Sequence, residues 1–598
     1  THPATSTFDA VKPVVLDIRN LSVEFETEQG TVQAINQISF QLKEGECLGL
    51  AGESGSGKSV TAMLLMGLLP ASSARIRSGD VIYTNAEGKY INLLQLNTSD
   101  IRSIRGKEIA IVFQEPGSSL NPVISCGNQL AESLIVHLKL SSNEARLKSL
   151  ALLEEVGLFE SERIYASFPH ELSGGQKQRV MIAMAIACRP RILIADEPTT
   201  SLDVSVQKNI LDLLNSLKEK YNMSVLFISH DLAVLASMAN RILVMQKGVI
   251  VEENTTEQLF RKPSHPYSQG LIACRPNLSL RPKRLPTVED FIKAAHTSHS
   301  GDAPAPLAFQ EIEERGAHHQ QLYSQKPLIE IVNLNTTFHS NAGAKVHAVK
   351  QVSFAIYPGE TLGLVGESGS GKTSLGRSIL RLIEPDSGEV LFNGKDLLSL
   401  SNGELRPLRK RMQMVFQDPF SSLNPRMTIG EAISEPMIIH GLALKEEERK
   451  DKAIQLLERV GLKASHYHRL PHEFSGGQRQ RAGIARALAS EPDFIIFDES
   501  VSSLDVSAQA LILNLINDLK ERYKFTCLFI SHDLSVVRYM SDRVVVMQNG
   551  AIEEIAEADQ LFASPQSTYT QGLIASIPLG GTEDIDLAIA QQRNRNTA

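Results

Sequence analysis

Two kinds of hydrophobic pattern alternate along the chain. Short apolar runs that end in polar residues, such as RILIADEP from Arg191 and SVLFISHD from Ser224, are typical of strands buried on both faces of a sheet. The segment LGLAGESGSGKSVTAMLLMGLL, from Leu48, predicts a strand, a glycine-rich turn and an amphipathic helix in succession. This alternation predicts an α/β fold with mostly parallel sheets and helices on both faces, whose ligand sites lie at the carboxyl ends of the strands.

The same pattern occurs twice. The motifs GESGSGK[ST], VFQ, SGGQ and FISHDL recur in the same order, and the first copy has about eleven more residues between its first two motifs. We therefore predict a surface-loop insertion within SARIRSGDVIYTNAEGKYINLLQ. The predicted organisation is a tail at 1–14, a domain at 15–275, a linker at 276–326, a similar domain at 327–580 and a tail at 581–598.

The predicted linker is rich in Pro, Ser and Ala and lacks periodicity, apart from a short helix predicted around EDFIKAAH. It contains His296, His299, His318 and His319, whose spacing matches no metal site. We interpret these histidines as solvated side chains. The polar C-terminal tail is predicted to fray.

Composition is that of an ordinary globular protein of several domains, with 598 residues, 42% hydrophobic and 21% charged. The net charge of -8 gives no reason to expect nucleic acid as a partner. Five scattered cysteines without a CxxC pair fit a reducing, cytosolic setting. No apolar run reaches the roughly 18 residues that span a bilayer, and the first residues contain no signal-peptide core. Any membrane crossing is therefore expected from another chain.

The clearest chemical signal is the G-x-x-x-x-G-K-[ST] loop, which in both copies follows a predicted strand and opens a predicted helix. Its glycines let backbone N–H groups point at phosphate, and the helix N-terminus adds positive potential. Lys58 and Lys372 are expected to reach the outer phosphates of ATP, and the hydroxyls of Ser59 and Thr373 to bind Mg²⁺. The predicted ATP-binding loops consist of Gly52, Glu53, Ser54, Gly55, Ser56, Gly57, Lys58 and Ser59, and of Gly366, Glu367, Ser368, Gly369, Ser370, Gly371, Lys372 and Thr373.

Each copy also has an Asp-Glu pair after a buried strand. Asp196 and Asp498 are predicted to hold Mg²⁺, and Glu197 and Glu499 to orient and deprotonate the attacking water. Alone, such a pair would indicate only a strand end that meets solvent. The first copy reads DEPTTSLD and the second DESVSSLD, so the acidic residues are unchanged, and we interpret the changed residues as scaffold around the chemistry. Both sites are therefore expected to hydrolyse ATP.

The order of phosphate loop, VFQ glutamine, SGGQ, DE and SH-D resembles that of the ATP-binding cassette (ABC) ATPases, and the resemblance covers both domains. It implies tandem P-loop NTPase domains, each with a RecA-like sheet, an antiparallel β subdomain and a helical signature subdomain. The roles that it implies are Q-loop glutamines, which contact Mg²⁺ and water, at Gln114 and Gln417; signature motifs at Ser173, Gly174, Gly175, Gln176 and at Ser475, Gly476, Gly477, Gln478; D-loop aspartates at Asp203 and Asp505; switch histidines at His230 and His532; and adenine-stacking aromatics at Phe25 and Phe338.

The resemblance also implies that the two domains pair. SGGQ opens a predicted helix, so its serine hydroxyl and glycine N–H groups form a second anion site. In the family this site closes on ATP held by the opposite domain, which implies that Lys58 works with Ser475 and Lys372 with Ser173. ATP would then clamp the domains together, and hydrolysis would release them.

Further segments, including HPYSQGLIA, PHELSGGQKQR and PHEFSGGQRQR, resemble the oligopeptide, dipeptide and nickel importer branch, in which fused double ATPases serve glutathione, microcin and peptide import. This implies a peripheral subunit on the cytoplasmic face of the inner membrane, with two integral-membrane permease subunits and an external solute-binding protein as partners. Docking is implied for the helices between Gln114 and Ser173. Peptide is the default solute, followed by glutathione and nickel. Some relatives carry a cysteine-rich iron–sulfur segment; this chain has only Cys274 there, and no cluster is predicted.

An alternative is a soluble tandem ABC ATPase that acts on ribosomes or DNA. Translation factors of the superfamily carry long charged helical arms in the linker, and DNA-repair relatives carry zinc-binding cysteines. Neither feature is found in this sequence, and it has no basic stripe. The sequence therefore favours import, with no nucleic acid as partner.

Overall fold

The computed structural model describes residues 12–27, 30–200, 202–278, 281–297, 308–310, 312–339, 345–418, 422–442, 445–502 and 504–577. They group into two compact units, the first of residues 12–202 and 206–272 and the second of residues 203–205 and 273–577. None of the helices in these ranges has the length and apolar character that a bilayer span requires. The predicted C-terminal tail lies outside the described residues.

The first unit contains two sheets. A four-stranded antiparallel sheet has the order β2-β1-β4-β5, and a six-stranded sheet has the order β10-β9-β3-β8-β7-β6, parallel except at β10. The strands are β1 (Val14–Thr27), β2 (Gly30–Lys43), β3 (Cys47–Ala51), β4 (Ala74–Thr84), β5 (Tyr90–Asn92), β6 (Ile109–Val112), β7 (Ile192–Asp196), β8 (Ser224–Ser229), β9 (Arg241–Gln246) and β10 (Val249–Thr255). The helices are Lys58–Leu65, Thr98–Ile104, Pro116–Ser119, Cys126–Leu138, Ser142–Glu155, Ser161–Ala166, Gly174–Ile186, Val204–Tyr221, Leu232–Met238, Thr256–Arg261 and Pro266–Ala273, with 3-10 turns at Leu93–Gln95 and Pro169–Glu171.

The second unit repeats this plan. Its sheets have the orders β12-β11-β14-β15, antiparallel, and β16-β17-β18-β13-β19-β20, parallel except at β20. The strands are β11 (Ile329–His339), β12 (Lys345–Ile356), β13 (Thr361–Val365), β14 (Ser387–Phe392), β15 (Lys395–Asp396), β16 (Met412–Val415), β17 (Phe494–Asp498), β18 (Thr526–Ile530), β19 (Arg543–Gln548) and β20 (Ala551–Glu557). The helices are Val288–Thr297, Ile312–Tyr323, Lys372–Ile379, Asn402–Arg409, Ile429–Ile439, Glu446–Arg459, Gly476–Leu488, Val506–Tyr523, Leu534–Met540, Ala558–Ala563 and Thr568–Ala575, with 3-10 turns at Ala464–His468 and Pro471–Glu473.

The central strands are apolar because helices cover them. Every residue of β3, β7 and β8 is buried, and the helices Lys58–Leu65 and Leu232–Met238 pack against these strands. A strand buried on both faces needs apolar side chains at every position, whereas a strand with one solvated face alternates. The predicted α/β fold with mostly parallel sheets is therefore confirmed.

The extra residues of the first copy lengthen a hairpin. In the first unit Ile82 pairs with Asn92 across the β4–β5 turn, whereas in the second Leu391 pairs with Asp396. Strand β4 is also longer than β14, with 11 residues against 6. The predicted insertion is confirmed, but it extends a strand as well as a loop.

Much of the predicted linker packs against the second unit. The helix predicted around EDFIKAAH is confirmed as Val288–Thr297, whereas the helix Ile312–Tyr323 was not predicted. Just before the first of these helices, Leu285 and Asn514 exchange two hydrogen bonds, of 2.9 Å to the amide oxygen and 2.8 Å from the amide nitrogen. The domain boundaries at 275 and 326 stay predictions.

The interpretation of all linker histidines as solvated is wrong for His319. His296 and His318 are exposed, and His299 lies outside the described residues, but His319 is only 4% exposed. Its ring nitrogens lie 3.3 Å from Glu557 Oε2 and 3.6 Å from Asp542 Oδ1. His319 is buried because it lies on one helix face with Arg315 and Tyr323, four residues to either side, and that spacing could have indicated the buried face.

The surrounding charges shift the titration of this cluster. Asp542 raises the pKa of His319 above its ordinary value, although burial opposes the shift. Burial works to raise the pKa of Asp542, but Lys520, His319 and the N–H of Thr361 together hold that pKa well below its usual range. The folded protein thus favours a charged imidazolium beside a charged carboxylate.

We expect His319→Gln to destabilise the second unit more at pH 6 than at pH 9. A raised pKa in the folded state stabilises the protein below the unfolded pKa of about 6.5, and this contribution is lost as pH rises through the folded pKa. The depressed pKa of Asp542 stabilises the folded state fully above the unfolded pKa of about 4, so the pair contributes most between about pH 4 and 6.5. Urea unfolding at pH 6 and at pH 9 measures the effect. His318→Gln, at an exposed neighbour, is the control, and an equal loss of stability at both pH values would contradict the expectation.

Candidate functional site

In each unit the phosphate loop connects the first parallel strand to a helix. The loop after β3 has left-handed or related backbone angles at three glycines, with φ of 151° at Gly52, 78° at Gly55 and 108° at Gly57. A Cβ on Gly52 would lie 2.2 Å from the carbonyl oxygen of Met245, so no larger residue fits there. Backbone of this kind forms anion-binding concavities lined by N–H groups.

The loop lysines are buried. Lys58 Nζ donates to the carbonyl oxygens of Gly52 and Glu53, both at 2.8 Å. Lys372 Nζ donates to Gly366 O at 2.8 Å and to Glu367 O at 2.9 Å. Each lysine is 4% exposed, and burial lowers the pKa of Lys372. Both lysines are therefore held at the N-terminus of the helix that follows the loop, where phosphate is expected.

A hydroxyl and a carboxylate meet beside each lysine. Ser59 Oγ donates to Asp196 Oδ1 at 3.2 Å, and Thr373 Oγ1 donates to Asp498 Oδ1 at 2.9 Å. Burial raises the pKa of Asp196 to about 6 and raises that of Asp498. Asp498 Oδ2 is buried and has no hydrogen-bond partner among the described residues. Hard oxygen donors in this arrangement fit a small divalent cation, whose charge would favour the ionised carboxylates.

Three side chains converge on the carboxylate of Glu197. Gln114 Nε2 donates to Glu197 Oε2 at 2.8 Å, Thr200 Oγ1 donates to the same oxygen at 3.0 Å, and His230 Nδ1 lies 3.0 Å from it. Glu197 itself has a φ of 47°, an uncommon conformation for a residue with a side chain. The site thus joins residues from distant parts of the first unit.

The electrostatics keep this glutamate ionised. Burial works to raise the pKa of Glu197, but the hydrogen bond and the charge of His230 outweigh burial and leave the pKa below its ordinary value. For His230 burial works to lower the pKa, and Glu197 outweighs it and leaves the pKa raised. A carboxylate that is charged and held in one orientation can accept a proton from water.

The second unit has the same arrangement with one contact fewer. Gln417 Nε2 donates to Glu499 Oε2 at 2.7 Å, and His532 Nδ1 lies 3.4 Å from that oxygen. Ser502, at the position of Thr200, has a buried hydroxyl without a hydrogen-bond partner among the described residues. The β-branched side chain of a threonine restricts χ1, whereas a serine hydroxyl turns more easily. The two glutamates are therefore held differently.

Thr200 is the residue that sequence reasoning missed. The interpretation of the Pro-Thr-Thr and Ser-Val-Ser segments after Asp-Glu as scaffold is wrong for Thr200, which contacts the glutamate directly. Its backbone N–H also bonds to Glu197 O at 3.2 Å, in a turn that Ser502 and Glu499 reproduce at 3.2 Å. A hydroxyl three residues after the glutamate in a tight turn was the available signal.

The signature motifs open helices as predicted. Ser173 Oγ accepts the N–H of Gln176 at 3.3 Å and Ser475 Oγ that of Gln478 at 3.3 Å, in capping boxes at the starts of Gly174–Ile186 and Gly476–Leu488. Both serines are exposed. Their helix N-termini can therefore receive an anion from solvent.

The D-loop aspartates also lie at helix starts. Asp505 caps the helix Val506–Tyr523 by accepting the N–H of Ala508 at 2.8 Å. Asp203 directly precedes the helix Val204–Tyr221.

The predicted adenine-stacking aromatics lie on corresponding strands. Phe338 on β11 lines a cleft of about 710 Å³ together with the phosphate loop, Gln417 and Glu499. Phe25 on β1 is partly buried and packs against the hydrophobic core of the first unit. A nucleotide-sized cleft therefore joins an aromatic ring to the phosphate loop in the second unit.

A phosphate loop after the first strand of a mostly parallel sheet, with an acidic pair at the end of a strand two positions away in the same sheet, defines a P-loop nucleotide-binding protein. The chain belongs to the ABC transporter family, which matches residues 35–200 and 349–502. A second family, the C-terminal region of oligopeptide/dipeptide transporters, matches residues 251–301 and 554–597. The predicted family and its ATPase domains are confirmed.

Curated relatives match over most of the chain. They include the glutathione import ATP-binding protein GsiA of Salmonella choleraesuis (strain SC-B67) and of Escherichia coli (strain K12), each 45% identical over 94% of this chain and 90% of the relative. Among solved structures, a dimeric ATP-binding cassette in a post-hydrolysis state with ADP and Pi is 30% identical over 38% of this chain and 98% of that chain, with a TM-score of 0.36.

We expect Thr200→Val to lower ATP turnover roughly tenfold, because a hydrogen bond to a charged group contributes about 1.5–3 kcal/mol. Valine keeps the branched shape and removes only the donor. The matched control is Ser502→Ala, which removes a hydroxyl that bonds to no described residue and is expected to change turnover less than twofold or so. Steady-state phosphate release measures both. Equal losses would show that the Thr200 contact has no special effect.

Proposed function

We propose that the protein is the ATP-hydrolysing subunit of an importer for a peptide-like solute, glutathione or a short peptide. Each unit brings a buried lysine, an acidic pair, a glutamine and a histidine to the ends of its parallel strands, and this observation carries the ATPase assignment. The names of relatives 45% identical support import of glutathione as the solute. We place the protein at the cytoplasmic face of the inner membrane, with separate permease subunits and an external solute-binding protein.

The proposed roles follow from the contacts. Lys58 and Lys372, held by loop carbonyls, balance the charge of the outer phosphates. Glu197 and Glu499 accept a proton from the attacking water, and His230 and His532 hold these carboxylates in place.

Oxygen ligands for a cation complete each site. Ser59 and Asp196, with Gln114, would hold Mg²⁺ in the first unit, and Thr373 and Asp498, with Gln417, in the second. When bound, Mg²⁺ would neutralise part of the charge of the outer phosphates.

Domain pairing completes the proposal. The exposed helix N-termini at Ser173 and Ser475 offer hydroxyl and N–H donors without a charged side chain in the motif. By resemblance to the family, Ser475 would close on the ATP at Lys58, and Ser173 on the ATP at Lys372. ATP binding then favours the paired state and hydrolysis the separated state, which is a ligand-driven shift between two conformations.

We expect Glu197→Gln and Glu499→Gln each to reduce ATP turnover by on the order of 10²-fold at the altered site, because the amide cannot accept the proton of the attacking water. The measurement is single-turnover hydrolysis in the assembled transporter, together with ATP binding, which should be retained. Asp212→Asn, on the surface helix Val204–Tyr221, is the control for loss of a charge. If Glu499→Gln left turnover and transport unchanged, the second site would not be catalytic.

A groove in the second unit suits a membrane partner. A cleft of about 770 Å³ lies between β16, which leads to Gln417, and the helices Ile429–Ile439 and Gly476–Leu488. Ile439 on its rim is 49% exposed, and neighbouring Ile438 is 59% exposed. Apolar side chains exposed next to a cleft are typical of a protein interaction site. The location agrees with docking on the helices that follow the Q-loop glutamines.

We expect Ile439→Asp to abolish co-purification with the permease and to leave ATP binding within about twofold of the original, because a buried unpaired carboxylate in an apolar contact is costly. Ile555→Asp is the control, since Ile555 is 38% exposed on β20, the strand at the other edge of the sheet from β16. Recovery of the protein with ribosomes or DNA, and none with membranes that contain the permease, would contradict the import proposal.

A further inference from the structure

In each unit, a tyrosine in the C-terminal segment forms a hydrogen bond with the phosphate loop of the same unit. The hydroxyl of Tyr267, in the segment HPYSQGLIA, accepts the backbone N–H of Glu53 at 3.1 Å. The hydroxyl of Tyr569, in the segment STYTQGLIA, accepts the backbone N–H of Glu367 at 3.2 Å. The two segments differ in sequence before the tyrosine, but the contact is the same.

The side chain of Tyr267 is buried, and that of Tyr569 is partly buried. Tyr267 is fully buried, and burial raises the pKa of Tyr569 to about 12, so that its hydroxyl stays neutral at physiological pH. Neutral phenols are suitable acceptors for a backbone N–H without adding negative charge where phosphate binds.

A glutamate on the antiparallel edge strand accepts two hydrogen bonds from the turn before the tyrosine. On β10, Glu252 Oε1 accepts the N–H of Ser264 at 2.8 Å, and Oε2 accepts the N–H of His265 at 3.0 Å. Glu252 is only 6% exposed.

The second unit has the same two hydrogen bonds to a glutamate, with different residues as donors. On β20, Glu554 accepts the N–H of Gln566 at 2.9 Å and that of Ser567 at 3.0 Å. A buried or partly buried carboxylate that accepts two backbone N–H groups makes a rigid turn. The turn before each tyrosine is thus held by the edge strand and not by the loop that the tyrosine contacts.

The loop is restrained from two sides at the same residue. Lys58 donates to the carbonyl oxygen of Glu53 at 2.8 Å, and Tyr267 accepts its N–H at 3.1 Å. The preceding Gly52 has a φ of 151°, which a glycine leaves easily because it has no Cβ. Lys58 and the N–H of Ser56 hold the carbonyl oxygen of Glu53, whereas Tyr267 is the contact that holds its N–H.

We propose that Tyr267 and Tyr569 are positioning residues for ATP, which fix the first turn of each phosphate loop so that the loop is ready to bind phosphate. This inference rests on the proposed role of the loops as ATP sites. It assigns to the C-terminal segments a direct part in nucleotide affinity, in addition to their packing. A binding site that is competent for only a fraction of the time has its apparent affinity reduced by that fraction.

The test compares Tyr267→Phe, Tyr569→Phe and the double variant with the unaltered full chain. Phenylalanine keeps the buried ring and removes only the hydroxyl. We expect each single variant to weaken MgATP binding at its own site about three- to tenfold, since one hydrogen bond between neutral groups is lost, and the double variant to show the change at both sites. The turnover at saturating ATP should stay within about twofold, because the Glu197 and Glu499 clusters are unchanged. Equilibrium binding of MgATP, and KM and kcat for hydrolysis, measure the two effects separately.

Tyr323→Phe is the matched control. Tyr323 lies in the second unit, and its buried hydroxyl has no hydrogen-bond partner among the described residues. MgATP affinity should be unchanged in this variant. Thermal unfolding without nucleotide is recorded for every variant: a fall in melting temperature with unchanged MgATP affinity in the tyrosine variants would show a purely structural role and overturn the inference. Failure of the unaltered chain to bind MgATP would instead overturn the proposed function.

Discussion

The parallel pairing of the central strands is the constraint on which both sites depend. In the first unit Asp196 pairs with Ile228, and the N–H of Glu197 continues the ladder with a bond of 3.0 Å to Ile228 O. In the second unit Glu499 bonds in the same way to Ile530 O at 2.9 Å. The N–H of each glutamate thus makes the last hydrogen bond between two buried parallel strands. A shift in strand register would move the glutamate away from the phosphate-loop lysine.

Burial and nearby charges set the pKa values of the carboxylates at each site. Lys58, Asp196 and Glu197 are buried, and His230 is partly buried. Burial raises the pKa of Asp196, whereas His230 keeps the pKa of the adjacent Glu197 below its ordinary value. Neighbouring carboxylates in the same sequence motif therefore differ in proton affinity, because burial dominates at Asp196 and the contact with His230 dominates at Glu197.

The two units share a plan, but their sites are not identical. Thr200 adds a hydrogen bond to Glu197, whereas the hydroxyl of Ser502 bonds to no described residue. The difference leaves the loop lysines and the Ser59–Asp196 and Thr373–Asp498 contacts alike, and it bears on how firmly one carboxylate is oriented. The second unit therefore has the same set of residues with changed supporting contacts. The C-terminal segments support both loops in the same way, through Tyr267 and Tyr569.

The sequence by itself determined the α/β class, the repeat, the family and the residues of the phosphate loops, because each of these is a local pattern of glycines, apolar runs and short motifs. It also predicted that Ser173 and Ser475 open helices, since capping depends on residues three apart. It did not predict the burial of His319, the contact of Thr200 with Glu197 or the bonds from Tyr267 and Tyr569 to the loops. Those contacts join side chains whose neighbours are decided by packing or by a rotamer, and neither is visible in a local pattern. Only the tertiary structure decided them, because strand register and helix placement bring together groups up to about two hundred residues apart along the chain.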